Sequence, residues 1–337
     1  MRCRRVLLLL LARSASSPAL GPSLPAPTWL PGPSAADGTV RTGRSAADRP
    51  GSGCGRQQYR RPVEGARAAV EAIRGRALPG AADALGVDVH FHPDAISPGR
   101  RSVLEAIVGD GRWRTQFETG TSNGGLTTFP GGDRWRWESR LFGGAYDGAD
   151  PSERPAYGAL RLSDDPYGSA PRFGSAHLRL QTEVLARTTL CFPDSVFEPE
   201  AVGTLDRAGA VLDALARVRL DDPLDEYVEA HVHGGIDLQR DVAAIVLDPS
   251  FRGTAVEDAA AAGGVPVVWH PGYELAPDRL PSLAAYRGRD VTDAAMRIAG
   301  DRALTPASLG RARQADGVDP RLAKWVWHLL AAHGRPA

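Results

Sequence analysis

Lysine is all but missing: Lys324 is the one lysine among forty basic residues in a chain of 337. The other cations are arginines, and with the surplus of alanine and glycine they point to a GC-rich genome and carry no functional weight. A net charge is missing as well. Forty acidic residues cancel the forty basic ones and leave a pI near 7.1. Binding a phosphate backbone rests on a positive surplus, so no nucleic-acid partner is expected. Cysteine is scarce: Cys3, Cys54 and Cys191 form no CxxC pair, which excludes a zinc knuckle or a disulfide framework. Cys191, in TTLCFPDS with apolar neighbours, reads as a buried inert thiol. Long apolar runs are lacking too. The run Val6 to Ala12 is far too short to span a bilayer, so no transmembrane segment is expected.

What is present reads as an ordinary globular protein, 42% hydrophobic and 24% charged. The start, MRCRRVLLLLLARSASS, has the basic residues, short apolar run and small residues of a secretory signal. The Pro-, Gly-, Ser- and Ala-rich text that follows to about Arg60 predicts disorder. An alternative is that translation begins downstream and residues 1–60 are a misread leader. The expected location is cytoplasmic, or secreted if the signal is real.

From Pro62 the pattern becomes regular, and one α+β domain is expected over residues 61–337. Val63, Ala66, Val70 and Ile73 recur at helical spacing, toward Pro79-Gly80. Leu85 to Phe91 predicts a strand, and Ser102 to Val108 a helix leaving at Gly109 to Gly111. Further strands are predicted around Leu160 and Leu162, and over 176–180, 188–192, 227–232, 242–247 and 265–269, with helices over 208–218 and 322–330. Strand mostly follows strand, with helices toward the ends. That order predicts α+β architecture rather than a parallel barrel.

Four segments carry chemistry. RTQFETGTSNGG packs Arg114, Gln116, Glu118, Thr119, Thr121, Ser122 and Asn123 into one glycine-rich loop, a pattern suited to phosphates or a nucleotide ribose. Its structural alternative is a loop bonded only to itself. GGDRWRWESRLFGGAYD alternates Trp135 and Trp137 with Arg134, Arg136 and Arg140, which predicts a strand with one buried face and Glu138 and Arg140 at a cleft edge. His90-x-His92, His231-x-His233 and His270 form the third group. Residues two apart on a strand share a face, so each pair is a candidate metal chelate, against the alternative of hydrogen-bonded histidines lining a cleft. In the fourth, EYVEAHVHGG, parity places Tyr227, Glu229, His231 and His233 on one face. Glu229 there can hydrogen-bond a ribose hydroxyl or stabilise an oxocarbenium-like centre, and a solvated edge strand is the alternative.

VDVHFHPD, RTQFETGTSNGGL, GGDRWRWESRLFGGAYD, RPAYGALRL, APRFGSAHLRL, PDSVFEPEA, EAHVHGGIDLQRDVAAIVLDPSFRGT and VVWHPGY together resemble the bacterial family called domain of unknown function 3626, over about residues 85 to 290. The order of motifs is also similar to that of ADP-ribosyltransferases. That second resemblance implies a split, mostly antiparallel sheet and NAD as substrate. His90, His92 or Arg114 then stands at the first position, Tyr157 or Ser175 at the second, and Glu229 as the catalytic carboxylate. The chain has neither a Ser-Thr-Ser string nor a Glu-x-Glu at Glu229. On this resemblance the cofactor-binding set is His90, His92, Arg114, Gln116, Thr119, Thr121, Ser122, Asn123, Tyr157 and Ser175, with no metal. One alternative is a metal-dependent hydrolase using His90, His92, His231, His233 and His270. Another is a nucleotide-binding module without catalysis.

Overall fold

The structure, a computed structural model, describes residues 61–121, 127–315 and 318–336. Its strands in chain order are β1 (Gly86–Phe91), β2 (Arg112–Trp113), β3 (Ala156–Arg161), β4 (Ala176–Leu180), β5 (Thr188–Phe192), β6 (Ala201–Thr204), β7 (Glu229–Val232), β8 (Ile236–Asp237), β9 (Val242–Leu247) and β10 (Val267–Trp269). Among the described residues the α-helices of seven residues or more are α1 (Arg61–Arg74), α2 (Val103–Asp110), α3 (Asp133–Leu141), α4 (Gly209–Arg217), α5 (Ala255–Ala261), α6 (Arg289–Ala299), α7 (Pro306–Ala315) and α8 (Pro320–His333). Among the described residues no helix is long and apolar enough to cross a membrane.

Eight strands make one sheet in the order β10-β9-β4-β1-β3-β7-β5-β6, and β2 pairs with β8 in a small ribbon. Every pair in the large sheet is antiparallel except β10 with β9. The expected class, an α+β fold on a mostly antiparallel split sheet with flanking helices, is the one observed.

The split lies between β1 and β3. They pair only over Gly86–Asp88 against Arg161–Ala159. Past Asp88, β1 continues against β4 as far as Phe91, while β3 continues against β7 back to Ala156. The sheet thus divides into two halves of four strands that part company at one end.

Alternation along the strands gives the sheet an apolar and a polar face. Val87, Val89 and Phe91 of β1, Leu178 and Leu180 of β4, and Ile245 and Leu247 of β9 join the main core, which takes in Leu104 and Ile107 of α2 and Val211 of α4. Helix α2 starts where Ser102 supplies a capping box with Glu105 and stops at Gly111, whose φ of 65° suits a left-handed cap. Asp88, His90, Tyr157, Glu229 and His231 lie on the opposite, polar face by parity. A second core, centred on Trp327, Leu309 and Val291, holds α6, α7 and α8 together.

Three expectations need correction. Asp133–Leu141 is a helix, not a strand: Arg134, Trp137, Glu138 and Leu141 are the buried positions, spaced as one helical face. Strand β7 is no edge strand; it lies between β3 and β5 and is buried throughout. Nor do helices gather at the ends, since α3, α4 and α5 all fall between strands. The glycine turn after β7 leads into β8 of the small ribbon, and the chain then enters the other half of the sheet at β9. Gly234 and Gly235, at φ 78° and 72°, make that sharp departure affordable.

Candidate functional site

A cleft of about 240 Å³ opens where β1 and β3 diverge. From the β1 side it is lined by Asp88, His90 and His92, and from the β3 side by Ala156 to Ala159. Trp113, Phe173 and Tyr157 supply aromatic walls, and Val103 and Ile107 of α2 add aliphatic surface. Arg101, Arg112 and Arg114 also line it. All three are paired: Arg101 and Arg114 share Asp110 at 3.0 and 2.6 Å, and Arg112 meets Glu118 at 2.5 Å. An anionic ligand group would have to draw these guanidiniums away from their carboxylates.

Glu229 reaches the cleft from β7, with Arg134 of α3 and Asp194 and Tyr227 alongside. Its carboxylate is 5% exposed. One oxygen accepts from His231 Nε2 at 2.8 Å, and the other from the Ser195 hydroxyl at 3.1 Å. Ser195 in turn accepts from Arg134 at 2.8 Å. Burial alone would raise the Glu229 carboxyl, but the hydrogen bonds from His231 and Ser195 and the charge of Arg134 hold it below the ordinary carboxylate range. Asp194 goes the other way. Burial pushes it up, and the neighbouring charge of Glu229 adds to that push. Two carboxyls in one cleft with environments that drive them apart are a recognisable feature of catalytic pairs.

Around them the polar groups are closely tied. Tyr227 donates to Asp194. Tyr157 donates to Glu138 at 2.8 Å, and Arg154 forms a buried ion pair with the same carboxylate. Arg134, only 4% exposed, lies 4.2 Å over the Tyr157 ring and so covers one of its faces. Cys191 is fully buried, 3.8 Å from Glu229, and burial pushes its thiol well up. The reading of an inert thiol fits that environment.

Glu229, His90, His92, Arg114, Gln116, Thr119, Thr121 and Tyr157 all line this one cleft. Ser122 and Asn123 lie outside the described residues. Ser175 is buried and does not line the cleft, and its hydroxyl has no partner. Gln116 is half-buried, and its carbonyl oxygen is buried without a partner.

The five candidate metal histidines fall into two groups. His90 donates from Nδ1 to Gly174 O and accepts at Nε2 from the Ala170 N–H, both at 3.2 Å. His270 donates from Nε2 to Ser175 O and accepts at Nδ1 from the Gly272 N–H, both at 3.0 Å. His92 stands edge-on to Trp327 at 5.1 Å, and burial keeps it well below its usual range. His231 and His233 belong to the Glu229 side, where Cys191, Glu229 and His231 bring their donor atoms within 4.8 Å of one another.

A family model described as a protein of unknown function, DUF3626, matches residues 86–221 and 216–330. The chain belongs to the DUF3626 family. No curated protein is similar to it. The matched stretch takes in every residue of the cleft described above, so the site lies wholly within the DUF3626 domain.

Sequence reading passed over Asp194, Phe173 and Trp113 as cleft residues and Ser195 as a partner of Glu229. Asp194 had a faint signal, since it accepts from the Val196 N–H at 2.7 Å as a helix cap, which the PDS string announces. The others are placed by chain crossings that no local pattern records.

Proposed function

We propose that the cleft binds a nicotinamide dinucleotide and that Glu229 promotes cleavage of the nicotinamide–ribose bond, with ribosyl transfer to an acceptor or to water. What carries this reading is Glu229 itself: a buried, ionised carboxylate facing a cleft with aromatic walls. In that reaction the C1′–N bond breaks and its electron pair leaves with neutral nicotinamide. Positive charge then develops on the ribosyl carbon, and a fixed anion in a low-dielectric site stabilises it. The acceptor's lone pair forms the new bond at C1′ and the acceptor releases a proton. Glu229 also suits a hydrogen bond from a ribose hydroxyl. Arg114 and its neighbours Arg101 and Arg112 are the cations available to the pyrophosphate. His90 has both ring nitrogens committed to backbone, so His92 and Arg114 are the better candidates for direct contact at the first position.

Titration calorimetry with NAD tests binding, and release of free nicotinamide tests the reaction. Glu229→Gln is expected to keep binding and lose at least about 10²-fold in rate, the scale on which single preorganised electrostatic groups act. A wild-type protein that neither binds NAD nor releases nicotinamide would overturn the reading. The second reading, a metal-dependent hydrolase, draws support from the convergence of Cys191, Glu229 and His231. Stoichiometric zinc, manganese or iron in untagged protein would favour it.

A further inference from the structure

Four buried side chains lead away from Glu229 in a single line. His231 Nε2 meets the carboxylate at 2.8 Å, and His231 Nδ1 meets the Thr189 hydroxyl at 3.1 Å. The same hydroxyl meets His233 Nε2 at 2.9 Å, and His233 Nδ1 meets the Tyr146 hydroxyl at 2.8 Å. Every one of these residues is buried.

With Glu229 ionised and His231 neutral, donor counting fixes the direction of the line. An ionised carboxylate only accepts, so His231 carries its proton on Nε2. A neutral His231 then accepts at Nδ1, which commits the one hydroxyl proton of Thr189. Thr189 must therefore accept from His233, which places that proton on Nε2. His233 Nδ1 is left as an acceptor, and the Tyr146 hydroxyl donates to it. Each bond forces the next, and every positive end points at Glu229.

We propose that Tyr146, His233, Thr189 and His231 form a one-way hydrogen-bond chain that orients the Glu229 carboxylate and holds it as an anion toward the cleft. They are positioning residues, and their catalytic meaning rests on the reading of Glu229 given above. The sheet keeps the chain in line, because Thr189 of β5 is registered directly opposite His231 of β7. Phe142 packs edge-on against both imidazoles, at 5.4 and 5.1 Å, which fixes their planes. Tyr146 stacks on His233 with an interplanar angle of 8°. Burial keeps the His233 imidazole neutral, as the direction requires. The other groups near the carboxylate are Ser195, Asp194, Cys191, Arg134, Tyr227 and Tyr157. Protonation of His231 would force Nδ1 to donate to Thr189, and the whole line would have to reverse.

Nitrogen-15 NMR of the imidazoles tests this without any substrate. Both His231 and His233 are expected as Nε2–H tautomers in the intact protein. Thr189→Val, nearly isosteric, is expected to abolish the tautomer preference of His233. It should also raise the carbon-13 titration midpoint of the Glu229 carboxyl by about one pH unit, the scale of one lost hydrogen bond. Thr189→Ser should restore both. An Nδ1–H or metal-bound His231 would overturn the chain, as would a Thr189→Val protein that matches wild type in both signals. Because these signals need no NAD, a protein that passes them but cleaves no NAD would refute the proposed reaction and leave the chain standing.

Discussion

His90 and His231 lie on the same polar face, one in each half of the divided sheet, and each begins a His-x-His pair. Their surroundings differ in kind. His90 is bonded on both sides to backbone, the Gly174 carbonyl and the Ala170 N–H. It fastens the 162–175 segment across the β1 half and has no ring nitrogen left for a ligand. His231 is bonded on both sides to side chains, the Glu229 carboxylate and Thr189. A histidine held by backbone fixes where a chain runs; one held by side chains sets the orientation and charge of what it touches. The same sequence motif thus does structural work in one half and site work in the other.

Replacing each histidine by phenylalanine should break the molecule in opposite ways. His231→Phe removes the donor from Glu229 and is expected to cost about 10²-fold in nicotinamide release, the penalty of a misplaced reacting group, beyond the stability lost with the buried bonds to Glu229 and Thr189. His90→Phe leaves a buried N–H and a buried C=O without partners, and is expected to cost about 2–4 kcal/mol of stability. Urea unfolding and a nicotinamide-release assay on both variants decide the matter. Equal stability losses with equal activity losses would erase the distinction between the halves.

Acid should sharpen the same contrast. His90 is held at about 4 by burial, against 6.5 for an ordinary histidine. Between those values the unfolded chain binds a proton that the folded chain refuses, so acidification favours unfolding. The stability tied to His90 is complete above about pH 6.5 and is lost as pH falls toward 4, by about 3 kcal/mol at most. His92, His177 and His233, also kept low by burial, act in the same direction. Urea midpoints measured across this range should fall with pH, and less steeply in His90→Phe. An unchanged slope in that variant would show that His90 titrates normally.

The strands that could be read from the sequence are those whose faces differ most in polarity. In β1 and β4 the alternation of Val87, Val89 and Phe91 with Asp88 and His90, and of Leu178 with His177 and Arg179, is a period-two signal that no helix would produce. RWRWESR failed because Arg134, Trp137, Glu138 and Leu141 satisfy helical spacing while Trp135 and Trp137 mimic alternation over the same few residues. The parity that put Glu229 and His231 on one face survives as a 2.8 Å hydrogen bond. Thr189 was out of reach, since it is 42 residues from His231 and becomes its neighbour only through the β5–β7 register. The location of the cleft was equally hidden. It depends on where β1 stops pairing with β3, a long-range event with no local signature.

Gly168 offers the smallest and most local test of the two halves. Its φ is 79°, a left-handed conformation that strains any residue with a Cβ. A Cβ there would also lie 2.5 Å from His90 Nε2 and 2.9 Å from His177 Nδ1. Those two rings stack at 4.9 Å, and the adjacent Ser169 bonds Asp88 through both its N–H and its hydroxyl. Gly168→Ala must therefore push the 162–175 segment off the β1 half, at a cost of about 2 kcal/mol. The Glu229 side makes no contact with that Cβ, so its tautomers and carboxyl titration should stay at their wild-type values. If the titration of Glu229 moved with this substitution, the two halves would be mechanically coupled across the split, and the cleft would have to be treated as one yielding unit.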